Sequence, residues 1–170
     1  MIEYVVKVYD NGDKYWYLND KRHLEDGPAI ECSDGYKAWY INGKLHREDG
    51  PAIECTNGDK SWYLNGKLHR EDGPAVEYSN GYRAWYLNGK VHREDGPAIE
   101  EANGEKLWFL DGKLHREDGA AVECPNGDKY WYLNDKLLTE ANHKARTYKP
   151  TSCEGKIVEI DGKKYQLKEV

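Results

Sequence analysis

Trp62-Tyr-Leu-Asn-Gly-Lys-Leu-His-Arg-Glu-Asp-Gly-Pro-Ala-Val-Glu77 is one copy of a phrase that recurs, nearly unchanged, through most of the chain. Its tryptophan marks the period. Trp16, Trp39, Trp62, Trp85, Trp108 and Trp131 stand 23 residues apart, and no tryptophan lies off that series. A fixed period without insertions means one supersecondary unit stacked on itself. Five full units run from Trp16 to Tyr130, and a sixth begins at Trp131 and then departs from the pattern. Arrays of this kind make surfaces, whereas catalysis needs one unique pocket.

Each unit carries two turn signals. Asn-Gly follows the aromatic run (Asn42-Gly43, Asn65-Gly66, Asn88-Gly89) and precedes the next one (Asn57-Gly58, Asn80-Gly81, Asn103-Gly104, Asn126-Gly127). Between strand-like runs this dipeptide favours a two-residue type I′ turn, because both residues tolerate positive φ. The reading is strand, turn, strand, turn: all-β and antiparallel. Two-residue turns throughout would set Leu64 opposite Lys67, Tyr63 opposite Leu68 and Trp62 opposite His69. They would also set Ile53 opposite Trp62, and Glu54 opposite Ser61. One face would then hold Ile53, Trp62, Leu64 and His69, and the other Tyr63, Leu68, Glu54 and Arg70. Trp39, Trp62, Trp85 and Trp108, with His46, His69, His92 and His115, become the structural spine. The Glu-Asp-Gly-Pro segment cannot continue a ladder smoothly and is expected to form a corner.

Composition agrees with a thin body. The chain has 170 residues, 33% of them charged, with a mean hydropathy of −0.99 and 14 tyrosines. That is polar for a thick core, yet too aromatic for disorder, so Trp and Tyr are expected to be the chief core-formers. A formal net charge of −6 argues against generic binding to a phosphate backbone. No apolar stretch approaches a membrane span and no leader pattern opens the chain, so a cytoplasmic protein is expected. Cys32, Cys55, Cys124 and Cys153 lack paired spacings, and read as small hydrophobes rather than a zinc or disulfide framework.

The ends differ from the middle. Residues 1–15 read as an N-terminal capping strand, and residues 16–141 as the tandem β-repeats. Residues 142–170 read as a linker and C-terminal hairpin. Apolar residues at 137, 138, 141 and 145, with Asn134 or Asp135 as N-cap, predict a short helix. A basic linker holding Lys144, Arg146, Lys149 and Pro150 follows. Asp161-Gly162 predicts a hairpin with Glu159 opposite Lys164, acting as a cap or as a docking element.

Asn65-Gly-Lys-Leu-His69, with Asn80-Gly-Tyr and the next aromatic strand, resembles MORN-type repeats over about residues 9–135. The longer Trp-Tyr-Leu-Asn-Gly-Lys-Leu-His-Arg-Glu-Asp-Gly-Pro-Ala phrase is similar to a variant found in phage and giant-virus proteins. The resemblance implies an elongated antiparallel array of MORN-like hairpins that serves as a scaffold. Some such arrays are linked to lipid contact, but here Arg-Glu-Asp stands where the family has Gly after His. No membrane association is therefore expected.

The candidate binding residues are Arg47, Arg70, Arg93 and Arg116, with Tyr40, Tyr63, Tyr86, Glu71 and Asp72. A ladder of guanidinium forks suits carboxylate or phosphate groups. The competing reading is internal pairing between neighbouring repeats. Successive histidines would lie roughly 10 Å apart, too far to share a metal bonded at about 2 Å. Calcium wants roughly six to eight oxygens, and each turn offers one Glu and one Asp beside an Arg. Neither metal nor cofactor is expected. No nucleophile has an adjacent base, and there is no P-loop or Gly-x-Ser-x-Gly, so no enzyme is expected. The leading expectation is a binding protein whose repeat surface engages a host or viral protein partner. The resemblance extends this to a phage-encoded inhibitor of a host defence protein. A second reading is sequestration of an anionic nucleotide-like ligand by Arg and aromatic rows, and a third is a scaffold or virion component.

Overall fold

The computed structural model describes residues 3–147, 157–160 and 163–166. It is a mostly β structure of antiparallel hairpins with one short helix, Glu140–Thr147. A 14-stranded sheet follows chain order. Beside it stands a second row of hairpins, such as Tyr63–Leu64 against Lys67–Leu68.

The tryptophan backbone joins the two rows. Trp62 N–H donates to the Ala75 carbonyl at 2.8 Å, and the Trp62 carbonyl accepts from His69 N–H at 3.1 Å. His69 ends the second-row hairpin and Ala75 leads into the strand Val76–Glu77 of the long sheet, so residues 70–74 between them are extruded as a loop. The same two bonds recur at Trp16, Trp39, Trp85 and Trp108. Neighbouring units of the second row are linked as well: Gly66 N–H donates to the Leu45 carbonyl at 2.7 Å, and Arg47 N–H to the Tyr63 carbonyl at 3.1 Å. The expected corner is thus a bulge loop, repeated in every unit.

The two Asn-Gly turns are not alike. At Asn65-Gly66 both residues have positive φ, 53° and 81°, as a type I′ turn requires, and Tyr63 faces Leu68. At Asn57-Gly58 only the glycine does, with φ 92°. Gly58 N–H donates to the Cys55 carbonyl at 3.0 Å, and Cys55 N–H to the Asp59 carbonyl at 2.9 Å, which closes a three-residue loop. The Asn57 amide oxygen accepts from Asp59 N–H at 3.1 Å, an Asx turn that holds Asn57 out of the left-handed region. The extra residue moves the register by one. Ile53 faces Ser61 and Glu54 faces Lys60, not Trp62 and Ser61 as two-residue turns would have it.

That shift reassigns the faces. Glu54 joins Lys60, Trp62 and Leu64 on one side, and Ile53 joins Tyr63 and Leu68 on the other. Along the 14-stranded sheet one column alternates in charge without a break: Lys14, Glu31, Lys37, Glu54, Lys60, Glu77, Arg83, Glu100, Lys106, Glu123, Lys129. The adjacent column carries Ile30, Ala38, Ile53, Val76, Ala84 and Val122, all buried or half-buried.

The core is not chiefly aromatic. Ala29, Ala52, Ala75, Ala98 and Ala121 are fully buried, while every tryptophan is only half-buried. Continuing the register places Ala52 between Trp39 and Trp62. A methyl group between successive indoles leaves room for their large rings, so small and large residues alternate along this column.

The helix caps the array, though not as its apolar spacing suggested. Thr139 is the N-cap, its hydroxyl accepting from Asn142 N–H at 3.3 Å. Asn134 and Asp135 instead form a positive-φ turn, with φ 51° and 64°. Ala141 and Ala145 are exposed, and the buried anchor is His143, whose Nε2 lies 2.6 Å from the Arg116 carbonyl. Lys144 and Arg146 belong to this helix; Lys149, Pro150 and Cys153 lie outside the described residues. Ile157–Ile160 pairs with Lys163–Gln166 and sets Glu159 opposite Lys164 as expected, the Asp161-Gly162 turn itself lying outside the described residues.

Ala75→Leu tests the alternating column. Added methylenes have no space between two indoles, so the substitution should destabilise by about 1–3 kcal/mol in urea unfolding. An unchanged midpoint would show that the column tolerates bulk.

Candidate functional site

The bulge loops project on the tryptophan side of the sheet; the first is headed by Leu24, and each of the next four is built around its arginine. In the second unit the Arg47 guanidinium lies 4.0 Å from the centre of the Trp39 ring. Its Nε donates to Asp49 Oδ1 at 2.9 Å, and Nη1 donates to Glu54 Oε1 at 2.9 Å and the Pro51 carbonyl at 3.2 Å. Arg70, Arg93 and Arg116 stack on Trp62, Trp85 and Trp108 at 4.0–4.1 Å. The need for Gly73 follows from this contact: a Cβ there would come within 2.9 Å of the Arg70 Cζ. The guanidinium is therefore held between an indole face and a bare stretch of backbone.

Arginine pairing is internal, but within a unit rather than between units as expected. The Nε and Nη1 donors are taken by the loop that carries the arginine and, at Arg47, Arg70 and Arg116, by a glutamate of the strand that follows it. They also hold the Asp49, Asp72, Asp95 and Asp118 carboxyls below the ordinary carboxylate value, chiefly through the Nε hydrogen bond. The histidines link successive units. Asn65 N–H donates to His46 Nδ1 at 3.2 Å, and Asn88 N–H to His69 Nδ1 at 3.1 Å.

Between successive loops lie open notches. The notch between the loops headed by Arg47 and Arg70 has a volume of about 700 Å³, with Trp62, Leu64 and His69 in its lining. Equivalent notches of about 820, 650 and 680 Å³ sit at Trp39, Trp85 and Trp108. Their rims are acidic. The Glu48, Asp49, Glu71 and Asp72 side chains are 83–84% exposed, against 22–23% for Arg47 and Arg70. Among the described residues there is no cluster of three or more His, Cys, Asp or Glu able to hold a metal ion. No helix among them is long and apolar enough to cross a membrane.

The candidate binding residues divide. Arg47, Arg70, Arg93, Arg116, Glu71 and Asp72 gather in the loops. Tyr40, Tyr63 and Tyr86 alternate to the opposite face, half-buried. Burial there pushes the Tyr63 and Tyr86 hydroxyls up, and Tyr82 to about 12, so they remain protonated donors. Burial likewise pushes the Cys32 and Cys55 thiols up, which makes them poor nucleophiles. Two columns that sequence reasoning does not single out belong to the same surface. Ile41, Leu64, Leu87 and Leu110 line the notches. Lys21, Lys44, Lys67, Lys90, Lys113 and Lys136 are exposed and share the period. Lys44 lies with its Cβ 3.6 Å from where a Gly66 side chain would begin. The period itself is the available signal for both columns. Compared with protein-family models and with curated proteins, the chain matches none.

Arg70→Lys and Gly73→Ala should each disturb the same stack, the first by losing the planar fork and the second by displacing it. Each is expected to cost about 1–2 kcal/mol and to alter tryptophan fluorescence; no change in either variant would show that the stack carries no stability. Acid provides a second test. The loop aspartates titrate lower in the folded state than in the unfolded one. Their contribution is therefore complete above the ordinary carboxylate range and is lost as pH falls below about 4. Asp72→Asn with Asp95→Asn should flatten the fall of melting temperature with pH in that range. Superimposable profiles would assign acid unfolding elsewhere.

Proposed function

We propose that the protein is a non-enzymatic binding protein that engages a protein partner along its notched face. The supporting observation is the repetition of one solvent-open notch, with the same kinds of residue at each interval. A chemical step calls for a unique set of groups with tuned acidity. Here the four arginine-headed loops reproduce the same Arg–Asp bond and Arg–Trp stack, and the shifted groups are stabilised as ordinary carboxylates, hydroxyls and thiols. A partner surface calls for apolar recesses ringed by charge. Trp62, Leu64 and their equivalents supply the recesses, and the exposed carboxylates the ring.

Nucleotide sequestration is the weaker reading, because it needs guanidinium forks turned outward, and the loop arginines are stacked on indoles with side chains only 21–24% exposed. The MORN-like character, and with it the role of a phage-encoded inhibitor of a host defence protein, rests on the resemblance of the repeat phrase and belongs to the same proposal.

Paired baits test the reading. The native protein and a Glu48→Lys, Glu71→Lys, Glu94→Lys variant, matched in melting temperature, are immobilised and exposed to lysate of the cell in which the protein acts. A protein retained by the first and lost by the second, and then confirmed with purified components, is the expected result. Identical retention on both baits would remove the notched face from the function.

A further inference from the structure

The spacing of the notches carries information about what fits them. Two strands per unit advance the array by roughly 9.6 Å. A polyproline II helix has three residues per turn and rises ~9.3 Å in that turn. Every third side chain of such a peptide points the same way, at nearly the interval between notches. An extended β-strand does not match: residues on one side recur at ~6.6 Å, and those three apart point oppositely.

The rims choose the side chain. Each notch is flanked by exposed carboxylates, such as Glu48 and Glu71 at 83–84% exposure. Its lining offers Trp62 and Leu64, against which an aliphatic stem can lie. A cationic residue with a long methylene stem meets both demands. The face of each indole is already stacked by that unit's own arginine, as Arg70 on Trp62 at 4.1 Å. The incoming cation is therefore held by the rim carboxylates and not by the ring.

We propose that the partner segment is a proline-rich basic peptide in the polyproline II conformation, with Lys or Arg at every third position. It lies along the array axis and places one cation in each notch. This rests on the reading that the notched face binds a protein, and it adds the conformation, chemistry and period of the segment bound. Prolines between the cations fix that conformation in advance, so little ordering is required on binding.

The test is titration calorimetry with synthetic peptides. A peptide of four Pro-Pro-Lys triplets, one per notch, is compared with one of Pro-Pro-Pro-Lys quartets carrying the same number of lysines. A third peptide has the triplet composition in shuffled order. The triplet peptide should bind one-to-one and at least about tenfold more tightly than the other two, with affinity falling as salt rises. Glu48→Gln, Glu71→Gln, Glu94→Gln, shown to be folded by circular dichroism, should lose that preference. Equal affinity for the three peptides would reduce the effect to unspecific charge attraction and overturn the proposal. Absence of binding by the triplet peptide would overturn it too. Either result, beside a partner that distinguishes the paired baits, would leave the binding face standing and refute only the peptide assigned to it.

Discussion

The double use of each tryptophan backbone is the constraint on which the array depends. One residue donates through its N–H to an alanine and accepts through its carbonyl from a histidine six residues earlier in the chain than that alanine. Both bonds are possible only if the intervening residues leave the sheet. Gly-Pro within that segment serves the same end, because proline cannot donate to a ladder and glycine admits a close neighbour. In the second to fifth units the loop so extruded is closed by its arginine. Stacking on the indole and bonding to Asp, Glu and a carbonyl make the guanidinium the local core of the loop. Its Nε and Nη1 donors are taken up in this way, and removing any one acceptor leaves a half-buried donor poorly solvated.

Much of this is legible before any coordinates. The tryptophan period marks the repeat, and the Asn65-Gly66 turn sets Tyr63 against Leu68. The pairing of the preceding hairpin departs from expectation because one dipeptide serves two turns. At Asn65 the backbone N–H is taken by a histidine from the previous unit, at 3.2 Å. At Asn57 the side chain is taken by Asp59, two residues on. These choices depend on neighbours that are not neighbours in sequence, or on a polar residue just past the turn. Asp13, Asp59 and Asp128 share that position with Tyr36, Tyr82 and Glu105. The Asx bond survives the change, since it uses only the backbone N–H, as at Tyr36 and Tyr82.

The core is legible in kind but not in residue. Aromatic content suggests that tryptophan and tyrosine fill the interior, yet a two-strand advance of roughly 9.6 Å leaves no depth for stacked large rings. The interior of so thin an array goes to alanine, whose 0% exposure at Ala29, Ala52, Ala75, Ala98 and Ala121 is a packing consequence of the rings on either side. Tryptophan contributes by covering, not by filling. That is why its other face remains available to an arginine, and its rim to a notch.

The same geometry decides which charges can act outward. In the third unit Asp72 and Glu77 are bonded to Arg70 at 2.9 and 3.0 Å, so their carboxylates serve the loop. Glu71 has its side chain 84% exposed, with a histidine ring nitrogen 3.8 Å away. The phrase Arg-Glu-Asp thus divides its labour by position: both carboxylates are 84% exposed, but the third residue bonds to the first and the second takes no part in that bond. Two residues apart on a tight loop, Arg and Asp can meet on one side only if the residue between them turns away. Pairing within the loop and presentation of the glutamate are therefore one geometric fact. A sequence that keeps the fold keeps the row of exposed glutamates at the same spacing, unless that residue type itself changes.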